Sequence, residues 1–215
     1  MVREMRASML AMSPAVVTRL VVGCGAMASL AAALTLDVAA APAAQSAAKP
    51  VTESYSANMP PVLLSAEHAQ ICKLALGDQF PAIELPTLEG AATKVADLAK
   101  GKPTVVLFWT PDRWMSRSAL ADVNQAIANA KGQEIAAVAI VEGAVNDGVK
   151  QIIADSGAKF PQLTDADGAA FAQVGEQALP RIFVLDKAGK VAWFDIEFSE
   201  ASRREMQQAL AALAK

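Results

Sequence analysis

Along the chain, apolar and polar positions alternate in blocks with different periods, and one block sets the frame for the others. Thr104-Val-Val-Leu-Phe-Trp-Thr110 is an unbroken apolar run rich in β-branched and aromatic residues, which predicts a buried strand. After Pro111-Asp-Arg-Trp-Met115, residues Leu120, Val123 and Ile127 recur at spacings of three and four. That spacing predicts a helix from Ser116 to Ala130 with one apolar face, and Gly132 stands where a helix stop belongs. Strand, tight turn and helix follow one another directly, so the turn presents the helix's first backbone N–H groups.

The remaining blocks fit around this unit. Ser65 to Leu74 reads as a short helix capped by Ser65 and carrying Cys72. Ile83 and Leu85 alternate with polar neighbours ahead of Glu89-Gly90, the pattern of an edge hairpin. Glu134 to Val141, with Ile135, Val138 and Ile140, reads as a second buried strand. Asn146 caps a helix reaching Asp155, with Val149, Ile152 and Ile153 facing inward. Asp165-Ala-Asp-Gly168 reads as a turn before a short helix over Ala169–Val174. A calcium loop of the EF-hand type needs further oxygen ligands at fixed offsets and a late Glu, which are missing. Two apolar strands flank Asp186-Lys-Ala-Gly189 between Ala178 and Phe194, again a hairpin. Ser199 or Ser202 opens a final helix with Met206, Leu210 and Leu213 on one face. The order β, β-α-β-α, β-β-α predicts an α/β fold, a mixed central sheet flanked by helices on both faces.

The N-terminus obeys other rules. A polar, slightly basic lead (residues 1–19) precedes the uncharged apolar run Leu20–Leu36 and the small residues of Asp37-Val-Ala-Ala-Ala-Pro-Ala-Ala44. That order is a secretory signal peptide. Small-x-small sites occur at residues 39–41 and 41–43. The apolar run is short for a spanning helix of about 20 residues. Val21-Val22-Gly23-Cys24 also resembles a bacterial lipobox, although Arg19 interrupts the apolar segment before it. Export to the periplasm or another extracytoplasmic space is therefore expected, with a lipoprotein anchored through Cys24 as the alternative. Contact with a membrane requires that lipid or an uncleaved signal. Ala44–Pro61, rich in Ala, Ser and Pro, reads as a tether. The chain thus divides into a signal peptide (1–43), a flexible tether with a short helix (44–74) and one domain (75–215).

Composition narrows the chemistry. Arg3, Arg6 and Arg19 against Glu4 and Asp37 leave +1 in residues 1–43 and −4 in the remainder of a chain whose net charge is −3. No basic stripe appears, which excludes electrostatic support for nucleic-acid binding. Two cysteines, Cys24 and Cys72, and one histidine, His68, do not make a Cys/His metal site, and no cofactor is implied. His68 reads as a solvated surface residue.

Three motifs carry a family resemblance. Phe108-Trp109, three residues, Arg113-Trp-Met-Ser116, then Arg117 resembles the redox-site region of thioredoxin-fold proteins, notably TlpA-like thioredoxins and AhpC/TSA redoxins, in which Phe-Trp precedes Cys-x-x-Cys. Gly77-Asp-Gln-Phe-Pro-Ala-Ile-Glu-Leu-Pro-Thr-Leu-Glu-Gly90, with Val95-Ala-Asp-Leu-Ala-Lys-Gly-Lys102, resembles their opening hairpin and lead into the central strand. Leu179-Pro-Arg-Ile-Phe-Val-Leu-Asp-Lys-Ala-Gly189 resembles their closing hairpin. The resemblance spans about residues 75–214. It implies a thioredoxin-like fold with an N-terminal β-hairpin extension, and a cis Pro180 facing the turn.

It also implies thiol–disulfide exchange, for which the residues are wrong. Arg113 and Ser116 stand at the cysteine positions, and aligning Pro111 on the peroxiredoxin pattern brings Met115 and Ser118 to its Thr and Cys. A serine hydroxyl forms no disulfide, and no base adjoins Ser116 in sequence to activate it. No catalytic residue is expected at the turn. What survives is surface: a helix N-terminus with Arg113 and Arg117 suited to an anion, a strand edge at Leu179-Pro180 suited to an extended peptide, and apolar area from Trp109 and Trp114. The plain alternatives are core packing for Trp109 and solvation for the arginines. Two readings follow. One is a non-catalytic binding or accessory module with a protein or peptide partner on the Arg113–Pro180 face. The other is a thiol–disulfide oxidoreductase or peroxiredoxin-like antioxidant enzyme acting through Cys72, an odd cysteine once the signal is removed. Burial as a small apolar residue is the competing role for Cys72.

Overall fold

A computed structural model describes residues 58–130 and 133–213. The signal segment, Cys24 and the tether as far as residue 57 lie outside the described residues. The elements are α1 (Ala66–Gln70), β1 (Glu84–Pro86), β2 (Ala92–Lys94), α2 (Val95–Ala99), β3 (Thr104–Trp109), α3 (Trp114–Asn129), β4 (Ala136–Glu142), α4 (Asp147–Asp155), β5 (Gln162–Asp165), α5 (Phe171–Val174), β6 (Arg181–Leu185), β7 (Val191–Ile196) and α6 (Glu200–Leu213).

Five strands form one sheet in the order β5-β4-β3-β6-β7. β4 runs parallel to β3 and β5, while β6 is antiparallel to β3 and β7. β3 lies at the centre because every one of its six residues is buried, as expected of a strand covered on both faces. Strand periodicity then sends alternate residues to opposite layers. Val105, Leu107 and Trp109 join Val184 and Trp193 beneath Leu120 and Val123 of α3, Val149 of α4 and Met206 of α6. Val106 and Phe108 join Ile140, Phe183 and Phe194 beneath Phe80, Val95 and Phe171. On that second face Phe183 meets Phe80 edge-on at 5.5 Å between centroids and stacks on Phe194 at 5.9 Å.

The predicted hairpins, both strands around the turn, and the Asn146-capped helix are present. β1 and β2 pair through Leu85↔Thr93, with Gly90 in the turn at φ +89°. Asn146 accepts from the Val149 N–H at 3.0 Å. The Asp165 carboxylate accepts from the N–H groups of Ala170 (3.1 Å) and Phe171 (2.8 Å), so it organises the turn ahead of α5. Several features differ from expectation. α1 ends at Gln70, which leaves Cys72 outside the helix expected to carry it. α3 begins at Trp114, two residues before Ser116, and its N-cap is Arg113 with no side-chain cap bond. α2 and β5 were not expected: α2 is five residues with one buried member, and β5 has one large apolar residue, Leu163.

Candidate functional site

β3 ends at the buried Trp109, and Thr110 to Arg113 carries the chain into α3. The first turn of α3 holds no acid and no capping side chain, so no side chain within that turn opposes the positive end of the helix dipole, and Asp112 stands just before its N-cap. Arg113, Trp114 and Arg117 are exposed, with Trp114 at 67%. Arg117 Nη1 donates to the Pro111 carbonyl at 3.0 Å, bracing the turn. Ser116 differs from these neighbours. It is fully buried, and its hydroxyl oxygen accepts from the Thr110 N–H at 3.3 Å. His68, the histidine of the chain, has its Nε2 3.6 Å from Glu197 Oε2.

The Leu179–Pro180 bond is cis, as the resemblance implies. The surface expected there is not open, however. Leu179 is 2% exposed and packs in the second core layer, and Pro180 is buried. Trp109, the third residue expected to offer contact area, is 0% exposed and packs in the first layer. Their burial has one physical cause. Trp109 and Leu179 are large apolar side chains on elements that enter the sheet, and burial of each is worth roughly 1.5–3 kcal/mol. Arg113, Trp114 and Arg117 remain as the exposed members of the expected set.

Arg181, which follows Pro180, was not anticipated. It is 0% exposed. Nη1 donates to the carbonyls of Ile71 (3.1 Å) and Val174 (3.4 Å), Nη2 to that of Glu176 (3.2 Å), and Nε has no partner. The guanidinium lies 5.4 Å from the Phe171 ring centroid. Burial lowers its pKa, and the neighbouring Cys72 acts in the opposite sense. Gly175 makes room for it: a Cβ there would collide with the guanidinium and sit 3.0 Å from the Ile71 carbonyl. The available signal was a lone charge inside the apolar run Leu179–Leu185.

Cys72 is half-buried and free. It forms an antiparallel bridge with Gly175, so its backbone belongs to the cis-proline loop's surroundings. Burial pushes its thiol pKa up, and the Arg181 charge offsets this only in part. At neutral pH it is a thiol, the unreactive form. A cavity of about 490 Å³ lies at the opposite end of β3, lined by Phe80, Val95, Thr104 and Leu185, with Lys102 and Lys187 on it. Among the described residues, no group of three or more His, Cys, Asp or Glu is placed to hold a metal ion.

The family model named Redoxin matches residues 75–210. The chain belongs to the Redoxin family. This redoxin is 27% identical over 119 residues to the thiol-disulfide oxidoreductase ResA of Bacillus thuringiensis, covering 55% of the chain and 68% of that protein. Among solved structures it is similar to a Chlorobium tepidum protein described as thiol:disulfide interchange protein DsbE (28% identity, TM-score 0.59, 66% of this chain and 99% of that one). It is also similar to a secreted Mycobacterium tuberculosis disulfide oxidoreductase (26% identity, TM-score 0.53, 61% and 96%). These neighbours establish the thioredoxin-like fold: a mixed sheet with helices on both faces.

Proposed function

We propose that this redoxin is an exported binding or accessory module that runs no thiol–disulfide chemistry at its turn and engages a polypeptide there. The observation that carries the reading is the chemistry at the start of α3. Where the family pattern calls for two cysteines stand the exposed Arg113 and the buried Ser116, whose hydroxyl is taken up by the Thr110 N–H. Disulfide exchange requires a sulfur nucleophile and a sulfur to resolve it. Ser116 supplies neither, and His68, the histidine that would activate a hydroxyl, lies against Glu197 instead.

What the turn offers a partner is an exposed indole at Trp114 beside two arginines and uncapped N–H groups. Such a surface suits a polypeptide that brings an apolar side chain and a carboxylate together. Export rests on the basic–apolar–small order of residues 1–44, and the secreted Mycobacterium tuberculosis relative is consistent with it.

The second reading, oxidoreductase or peroxidase action through Cys72, draws on the Arg181 charge beside the thiol. Burial outweighs that charge. The deciding measurement is turnover by the purified chain and by Cys72→Ser, as reduction of a protein disulfide with a thiol reductant and as peroxide consumption. The expected result is no rate above the blank for either. A rate lost in Cys72→Ser overturns the proposal. As a positive control, Arg113→Cys with Ser116→Cys restores two thiols at a helix N-terminus, and disulfide reduction should rise about tenfold or more.

A further inference from the structure

The chain lays its own residues 71–73 along Val174–Glu176, in the loop that leads to Leu179 and Pro180, with residues 58–70 ahead of them. This segment crosses from one core layer to the other. The Asn58 carbonyl accepts from Gln208 Nε2 of α6 at 2.8 Å. Met59 packs on the first layer, Leu64 and Cys72 on the second, and Val62 on both. His68 of α1 then meets Glu197, whose N–H donates to the Pro180 carbonyl at 3.1 Å. Past α1, the segment meets the loop before Pro180 in an isolated antiparallel bridge, Cys72↔Gly175. The Glu176 N–H donates to the Ile71 carbonyl at 2.9 Å, and the Lys73 N–H to the Val174 carbonyl at 3.2 Å.

We propose that residues 58–73 are a strap occupying the backbone edge of Val174–Glu176, ahead of the cis proline, as an internal ligand, and that it lifts as a unit to admit an extended polypeptide in its place. The proposal rests on the polypeptide-binding reading above and adds its gate. Two features make the strap separable from the core. Its hold is shallow: α1 buries none of its five residues, a helix that short is marginal alone, and Leu63 is 81% exposed. Its polar contacts, His68 with Glu197 at 3.6 Å and the Lys73–Glu176 ion pair at 3.0 Å, are solvent-facing, which leaves them little strength.

The second feature is Arg181. When the strap lifts, the guanidinium loses the Ile71 carbonyl but keeps those of Val174 and Glu176. The buried cation therefore stays partnered in both states. The lifted state exposes one backbone acceptor, the Val174 carbonyl, and two donors, the Glu176 N–H and Arg181 Nη1. That set matches the main chain of an incoming strand, independent of its side chains.

Hydrogen exchange on the full chain tests the gate. The amides of Lys73 and Glu176 should exchange together and at least about tenfold faster than those of Ile182–Val184 in β6. Val62→Asp with Leu64→Asp removes strap packing and leaves the sheet intact. It should accelerate Lys73 and Glu176 a further tenfold or so while β6 is unchanged. Exchange of Lys73 and Glu176 in step with β6, or equal acceleration of all these amides, overturns the strap. Retention on an array of immobilised extended peptides then separates the two claims. Stronger retention of the double variant supports the gate. Equal retention of both chains overturns it. Silence from both, with the exchange as expected, refutes polypeptide binding at this edge and upholds a separately opening strap.

Discussion

Arg113 and Arg181 lie at the two halves of the same end of the sheet and have opposite fates. Arg113 caps α3 in name only, with its side chain in water beside the exposed Trp114. Arg181 is sealed among three carbonyls and an aromatic ring. The first cation is free to meet a partner and contributes little to folding. The second holds the strap, the α5 exit and the cis-proline loop in one place, and is unavailable to solvent. On the function proposed above, identical chemistry would serve recognition in one setting and architecture in the other, with burial deciding which.

The largest effects should break the Arg181 side of this contrast. Arg181→Ala empties a fully buried site and takes one of two donors from each of three carbonyls; it should cost about 3 kcal/mol in denaturant unfolding, whereas Arg113→Ala should stay within about 0.5 kcal/mol. Gly175→Ala, which drives a methyl into the guanidinium, should cost about 2 kcal/mol. Equal costs at 113 and 181 would end the comparison.

Trp114→Ala probes the other side. Stability should change by less than about 0.5 kcal/mol, while retention on peptides that bind the wild type falls several-fold, about 1 kcal/mol. Unchanged retention removes Trp114 from the contact.

The smallest effect concerns Asp195 on β7. Burial raises its pKa from 3.8 despite bonds from Ser202 and the Ile196 N–H. A carboxylate with a raised folded pKa binds more protons folded than unfolded, so its effect on stability worsens as pH rises from 3.8 through the raised value. Asp195→Asn should flatten this part of the stability profile, with most gain above that window. A profile identical to wild type would show that Asp195 does not titrate there.

The strand–turn–helix unit was readable because β3 is apolar throughout and α3 keeps a regular apolar spacing. Neither pattern depends on distant residues. α2 and β5 were invisible for the converse reason: five residues without a capping side chain, and four residues with one large apolar member, take their shape from what they pack on. The start of α3 was placed two residues late because the regular apolar spacing begins only at Leu120 and does not mark the first turn, where Trp114 and Met115 stand and the Ser116 hydroxyl, already inside the helix, accepts from Thr110. Of the candidate site, the exposed residues were identified correctly as surface. The burial of Trp109, Leu179 and Pro180 depends on layers assembled from remote segments. The Arg181 cradle joins residues 71, 174, 176 and 181, and no local pattern announces such a meeting.

One consequence concerns where this protein can be cut. The family match begins at residue 75, yet Ile71 supplies an acceptor to Arg181 and Asn58 one to Gln208. A fragment trimmed to the family boundary would discard the strap and keep everything it covers. Such a fragment would behave as a permanently opened form, stickier and less stable than its parent, and its binding would be mistaken for the resting behaviour of the whole protein.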